Sequence, residues 1–172
     1  RSRFLSLAHD VVHVWRVGTD ITPRDLQALQ GLLEPGEHSH AERFHFERDR
    51  RRFAVCRGYL RLLAACYLSE NAADIHFRYG PQGKPELAGS RSHNLWFNVS
   101  HSGDVALLAF ALDRDVGVDV ELMRPDLDFP SLAATSFSRA ECKIVAALSP
   151  ECRANLFYEY WTCKEACIKA DG

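Results

Sequence analysis

The chain has 172 residues, of which 26% are charged and 47% hydrophobic. That composition is ordinarily globular and long enough for one sizeable core or two small halves sharing an interface. Lys and Arg number 21 against 23 Asp and Glu, a formal net charge of -2, which disfavours a polycation that coats nucleic acid. The apolar run from Val105 to Leu112 is too short to span a bilayer. No basic segment followed by an apolar core and a small-residue cleavage site opens the chain, so no secretory signal is expected.

The β-branched, loosely alternating run Val11 to Val17 predicts a strand. Thr22 as N-cap and Pro23 in the first turn predict a helix through Leu26, Leu29 and Leu32-Leu33 that stops near Pro35-Gly36. From about His38 to Leu68, Phe44, Phe53, Cys56, Tyr59-Leu60, Leu63 and Tyr67 recur at spacings near three and four, so this stretch reads as one amphipathic helix or two abutting ones. Arg78 to Pro85 is a loop by its Gly and Pro content. Strands are expected over Leu95–Val99, Val105–Leu112 and Val116–Val120, joined as antiparallel hairpins by Ser102-Gly103-Asp104 and Asp113-Arg114-Asp115. Two helices follow, from about Ser138 to Leu148, where Ser138 and Glu141 form a capping-box pattern, and from about Ala154 to Ala170. Strands and helices mix without βαβ alternation, so the class is α+β.

Cys56, Cys66, Cys142, Cys152, Cys163 and Cys167 form no C-x-x-C pair. Cys163 and Cys167 lie one helical turn apart and could share a metal, but reduced thiols in a cytoplasmic protein is the favoured reading.

Four constellations could carry chemistry. In Gly117-Val118-Asp119-Val120-Glu121, an extended backbone aims Asp119 and Glu121 to one face while Val118 and Val120 face the core. Neighbouring carboxylates repel unless a cation lies between them, and a hard divalent ion is the usual partner. Taken alone, the pair fits a solvated strand edge better. In Trp161-Thr162-Cys163-Lys164-Glu165-Ala166, continued to Lys169, helical spacing puts Trp161, Glu165 and Lys169 on one face. An exposed Glu–Lys pair beside a core tryptophan explains that spacing equally well. In Asn98-Val99-Ser100-His101-Ser102, small hydroxyls and an imidazole suit a phosphate better than a Ser-His nucleophile, because adjacent strand residues diverge. Between Arg43 and Arg61 stand seven arginines, most of them expected to be solvated or paired with nearby acids. Arg48 and Arg52 share a helix face, and Lys84 adds a cation on its loop. Together the four combine acids for Mg2+ with cations for phosphates, and no Walker loop occurs.

These pieces, in order, resemble the 4'-phosphopantetheinyl transferases of the surfactin-synthetase-activating type: Phe46-Glu47-Arg48-Asp49, Gly83-Lys84-Pro85, Phe97-Asn98-Val99-Ser100-His101-Ser102, Gly117 to Glu121, and Trp161 to Ala166. The resemblance implies an α+β protein of two similar subdomains related by a pseudo-twofold axis, residues 1–113 and 114–172 here. The family continues beyond the last helix, which implies that the second subdomain is incomplete in these residues. It implies coenzyme A in the cleft and transfer of its phosphopantetheine arm to a serine of an apo acyl or peptidyl carrier protein, leaving adenosine 3',5'-bisphosphate. Asp119, Glu121 and Glu165 would hold Mg2+, for which Mn2+ could substitute. Lys169 would reach the pyrophosphate, and Arg48, Arg52, Lys84, Ser100 and His101 would bind coenzyme A. Glu165 is the expected base, with Glu141 second. A cytoplasmic monomer without nucleic-acid or membrane partners is expected. The competing readings are a Mg2+-dependent pyrophosphohydrolase and a coenzyme A-binding module without turnover.

Overall fold

The computed structural model describes residues 5–80, 83–89, 94–124 and 126–171. Strand β1 (His13–Gly18) leads into helix α1 (Pro23–Gln30), whose N-cap Thr22 accepts from the Asp25 amide as its sequence predicts. Helix α1 ends at Gly31, and Pro35-Gly36 does not terminate it. Instead Pro35 opens a second helix, α2 (Pro35–Glu42), with Glu34 and Glu37 closing a capping box. The missing N–H and fixed φ of proline are tolerated in a first turn, so the same residue that signals a stop also suits a start. Helix α3 (Glu47–Leu68) follows, giving the second of the two options for the stretch from His38.

The expected loop over Arg78 to Pro85 is shorter at both ends, because Arg78 and Tyr79 belong to β2 (Phe77–Tyr79) and Pro85 to β3 (Pro85–Leu87), which pair antiparallel; Pro81 and Gln82 lie outside the described residues. Strands β4 (Leu95–Ser102) and β5 (Val105–Leu112) pair antiparallel, and β1 pairs antiparallel with the other edge of β5, giving the order β1-β5-β4. One face of this sheet, with Leu95, Phe97, Leu108 and Phe110, packs on Leu60, Ala64 and Ala65 of α3 in the largest core. Leu26, Leu29 and Leu33 pack on Ala54 and Val55 of α3 in a second core.

The expected third hairpin strand is not a strand. Both edges of β5, the strand such a hairpin would pair with, are occupied, so residues 116–120 cannot pair beside it. They run extended across the opposite face of the sheet, where Val116 and Val118 bury against Ala109 and Ala111. The chain then enters three helices: α4 (Phe129–Ser136), α5 (Arg139–Ala147) and α6 (Pro150–Asp171). The Ser138–Glu141 capping box is formed. Helix α4 was not anticipated, although Asp128, which caps it by accepting from the Ser131 amide, and Pro130 in its first turn form a readable start signal. Phe129, Phe137, Val145, Phe157 and Tyr158 fill the core among these three helices.

Candidate active site

The site is built where the extended segment 116–122, hereafter the strap, lies between β4 and the end of α6. On β4, alternation aims Asn98, Ser100 and Ser102 to the strap side of the sheet. Their side chains take the place of a neighbouring strand's carbonyls. Asn98 Oδ1 accepts from the Val118 amide at 3.0 Å, Ser100 Oγ from the Val120 amide at 3.3 Å, and Ser102 Oγ from the Leu122 amide at 3.0 Å. Both period-two patterns therefore interlock, and this fixes which way the strap's acids point. The Ser100 and Ser102 hydroxyls also donate to those acids, to Asp119 Oδ1 at 2.8 Å and Glu121 Oε2 at 2.9 Å.

Gly117 explains how closely the strap approaches α6. A Cβ there would stand 1.8 Å from the Ala166 carbonyl oxygen and 2.7 Å from the Ala170 nitrogen. Only glycine permits this backbone-to-backbone contact. It brings Lys169 down to the strap, where Nζ donates to Asp119 Oδ1 at 2.5 Å and to Ser100 Oγ at 3.0 Å. The Asp119 side chain is 2% exposed and that of Lys169 32%. Among the described residues Asp119 Oδ2, which is buried, has no hydrogen-bond partner, a costly arrangement for a carboxylate oxygen and one that a cation would relieve.

Glu165 lies one turn before Lys169, half-buried, and among the described residues no hydrogen bond or ion pair engages its carboxylate. It lines a groove of about 570 Å³ together with Trp161, Cys163, Lys164, Cys167 and Ile168. Trp161 is shared with an adjoining cavity of about 540 Å³, whose rim carries Arg48, Arg52, Arg124 and Glu121 and whose floor is Leu127, Leu132, Phe157 and Tyr158. Thus Arg48, Arg52 and Glu121 share one cavity, while Glu165 opens on its neighbour. Among the described residues no three His, Cys, Asp or Glu side chains gather into a metal-ligand set, so the expected meeting of Asp119, Glu121 and Glu165 around one point is not assembled in this conformation. An all-oxygen donor set with one orphaned carboxylate oxygen nevertheless fits a hard divalent cation.

Other expected residues take distinct positions. Ser100 is 6% exposed and is the hub of the Asp119–Lys169 network. His101 points to the opposite face of β4 from Ser100, towards the α3 side. Desolvation and then the Arg52 and Lys169 charges hold its imidazole below the usual histidine range, against the opposing pull of Asp49 and Glu121. Arg52 pairs with Asp104 at 3.3 Å. Lys84 lines a small pocket of about 200 Å³ on the other side of the α6 terminus, and its Nζ donates to the Lys169 carbonyl at 2.7 Å, capping the helix end. Glu141 accepts from the Ser138 amide and pairs with Lys164 at 3.0 Å; those contacts, the amide first, pull its carboxyl below the usual range. It is committed to capping. Residues 57 and 61 of the basic stretch turn inward into a buried ion-pair cluster with Glu37.

Sequence reasoning named Asn98, Ser102 and Gly117 within motifs but missed what they do. The signal was present: an N-x-S-x-S pattern at period two alongside a second period-two run that begins with glycine.

Comparison with known proteins identifies the family. A family model described as "4'-phosphopantetheinyl transferase, N-terminal" matches residues 20–112, and one described as "4'-phosphopantetheinyl transferase superfamily" matches residues 115–172. The chain is 40% identical over 169 residues to the 4'-phosphopantetheinyl transferase HetI of Nostoc sp., which covers 98% of this chain and 71% of that relative. The chain belongs to the 4'-phosphopantetheinyl transferase superfamily. It is also 44% identical over 94 residues to the 4'-phosphopantetheinyl transferase AcpT of Salmonella typhi, covering 55% of this chain and 48% of AcpT. To the L-aminoadipate-semialdehyde dehydrogenase-phosphopantetheinyl transferase of Xenopus laevis it is 33% identical over 151 residues, 81% of this chain and 49% of that relative. The chain thus spans from about half to 71% of the length of these relatives. Among the described residues no helix is long and apolar enough to cross a membrane.

Proposed function

We propose that this chain carries the centre that moves 4'-phosphopantetheine from coenzyme A to a serine of an apo acyl or peptidyl carrier protein, releasing adenosine 3',5'-bisphosphate. The observation that carries the reading is the Gly117–α6 contact, which sets the acidic strap against the helix bearing Glu165 and Lys169, beside an arginine-rimmed cavity. In this reading Asp119, Glu121 and Glu165 hold Mg2+, which when bound supplies Lewis-acid neutralisation of the diphosphate. Glu165 takes the serine proton, the serine oxygen bonds to phosphorus, and the bond from that phosphorus to the bridging diphosphate oxygen breaks. The electron pair leaves on the bisphosphate, beside which the Lys169 ammonium lowers the cost of the growing charge.

Arg48 and Arg52, on the cavity rim, together with Lys84 and His101, bind the coenzyme A phosphates. Ser100 acts through the strap by orienting Asp119 and Lys169. We take residues 1–113 and 114–172 as two subdomains related by a pseudo-twofold axis, working as a monomer. Six free cysteines suit a reducing cytoplasm.

Glu165→Gln keeps the shape of the side chain and removes its basicity. Transfer to an apo carrier, read by intact mass, is expected to fall by at least about a hundredfold, while coenzyme A binding by calorimetry stays near that of the wild type. A variant that loads carrier at close to the normal rate removes Glu165 from the role of base.

A further inference from the structure

We infer that Lys169 is the resident counter-ion of the strap: in the ligand-free protein its ammonium holds the charge position on Asp119 that a divalent cation takes over, and the freed lysine then turns to the phosphates. The inference rests on the metal-binding reading of the strap given above.

Asp119 is fixed and Lys169 is not. The aspartate is 2% exposed, held by the Ser100 hydroxyl at 2.8 Å, and its neighbour Val120 is tied to the same hydroxyl. A buried carboxylate requires a compensating positive charge, since leaving it alone costs more than any contact it gives up. Lys169 meets that requirement with a long side chain that is 32% exposed and can swing out without disturbing the backbone. Its own main chain is pinned, because Lys84 Nζ holds the Lys169 carbonyl at 2.7 Å and Gly117 abuts the preceding turn. Only the side chain has to move.

The hydrogen bonds of the ammonium fall on Asp119 Oδ1 and on the Ser100 hydroxyl, which is itself bonded to that oxygen, so among the described residues Oδ2 is buried and unpartnered. The ammonium is therefore an incomplete partner for this carboxylate, as expected of a stand-in. Two cations competing for one carboxylate weaken each other. An anionic ligand that offers Lys169 another partner must then strengthen cation binding, and by linkage the cation must strengthen binding of that ligand by the same factor.

The test uses Mn2+ as a paramagnetic probe, with free ion read by electron spin resonance, no carrier present and no turnover. At about pH 8, where carboxylates are ionised, Lys169→Met is expected to bind Mn2+ at least about fivefold more tightly than wild type, and Lys169→Arg about as wild type does. Coenzyme A is expected to tighten Mn2+ binding in the wild type and to do so much less in Lys169→Met. Unchanged or weaker Mn2+ binding in Lys169→Met overturns the inference while leaving the metal site standing. Asp119→Asn separates the two: it is expected to abolish strong binding, and an Asp119→Asn protein that binds Mn2+ like the wild type overturns the metal reading itself, and the inference with it. A measurement on the unmutated protein guards against misfolding of the variants. Saturating Mn2+ is expected to raise the rate at which an amine-acylating reagent labels Lys169 by at least about fivefold, and an unchanged rate counts against the exchange.

Discussion

Among the described residues two buried carboxylates, Glu37 and Asp119, are held in ion pairs, and they are built on different plans. Around Glu37, Arg61 is 0% exposed and lies within 2.8 Å of Oε2, while Arg57 meets Oε1 at 3.4 Å by ion pairing without an aligned hydrogen bond. Arg61 also donates to the carbonyls of Ala72 and Ile75, and both guanidinium groups lie against the Phe77 ring. Each carboxylate oxygen has its own cation, and neither arginine can leave. Around Asp119, among the described residues, one oxygen carries both contacts, the other has none, and the single cation sits on a partly exposed tether. The first plan locks α2, α3 and the turn before β2 together. The second leaves a carboxylate poised for exchange. Burial of charge alone therefore does not set the candidate site apart, nor does an oxygen without a hydrogen bond, which Glu37 Oε1 shares with Asp119 Oδ2; what differs is that the cation on Asp119 is single and partly exposed.

The largest expected effect tests the first plan. Glu37→Gln strips the buried Arg57 of its counter-charge and leaves Arg61 only the partly exposed Glu34 at 3.1 Å; it is expected to cost roughly 3–5 kcal/mol of stability, read by urea unfolding. Asp119→Asn, where the lysine can turn to water, is expected to cost no more than about 1 kcal/mol yet to abolish transfer. Equal stability losses in the two variants erase the contrast.

The next effect concerns the contact that brings the second pair together. Gly117→Ala places a methyl group inside the Ala166 carbonyl, so the strap must lift from α6. The expected cost is about 1–3 kcal/mol, with loss of transfer greater than that destabilisation explains. An active Gly117→Ala protein of wild-type stability sinks the close-contact account.

The smallest effect is a pH dependence. His101 has its folded pKa depressed below the ordinary 6.5, chiefly by desolvation and then by Arg52 and Lys169. The unfolded chain therefore binds the proton first, and the native protein loses stability as pH falls through the window below 6.5. His101→Gln is expected to flatten the drop in melting temperature between about pH 7.5 and about pH 5. Coenzyme A phosphates beside the ring are expected to raise its pKa, seen in the imidazole proton shifts. A titration shifted upward in the ligand-free protein reverses the sign and rejects the local field described here.

Helix α1 with its Thr22 cap, the Ser138–Glu141 capping box, strands β4 and β5 and the α+β class were legible because each depends on residues a few positions apart. The strap was misread as a strand for the same reason. Its alternation is real, but whether an alternating run joins a ladder depends on which edges are free, and β1, nearly a hundred residues earlier, had taken that edge. The basic stretch divides similarly. Arg48 and Arg52 reach a cavity while Arg57 and Arg61 turn into the core, and nothing within α3 distinguishes them until α2 delivers Glu37.

The sequence by itself determined the family, the motifs and which residue types the chemistry draws on, because helix caps, period-two alternation and a glycine before an acidic pair are written in local spacing. Only the tertiary structure decided that Asn98, Ser100 and Ser102 serve as surrogate strand partners, that Lys84 caps α6, and that Lys169 rests on Asp119. Those contacts join segments up to 85 residues apart, and which distant side chain completes a buried charge is settled by packing, not by spacing.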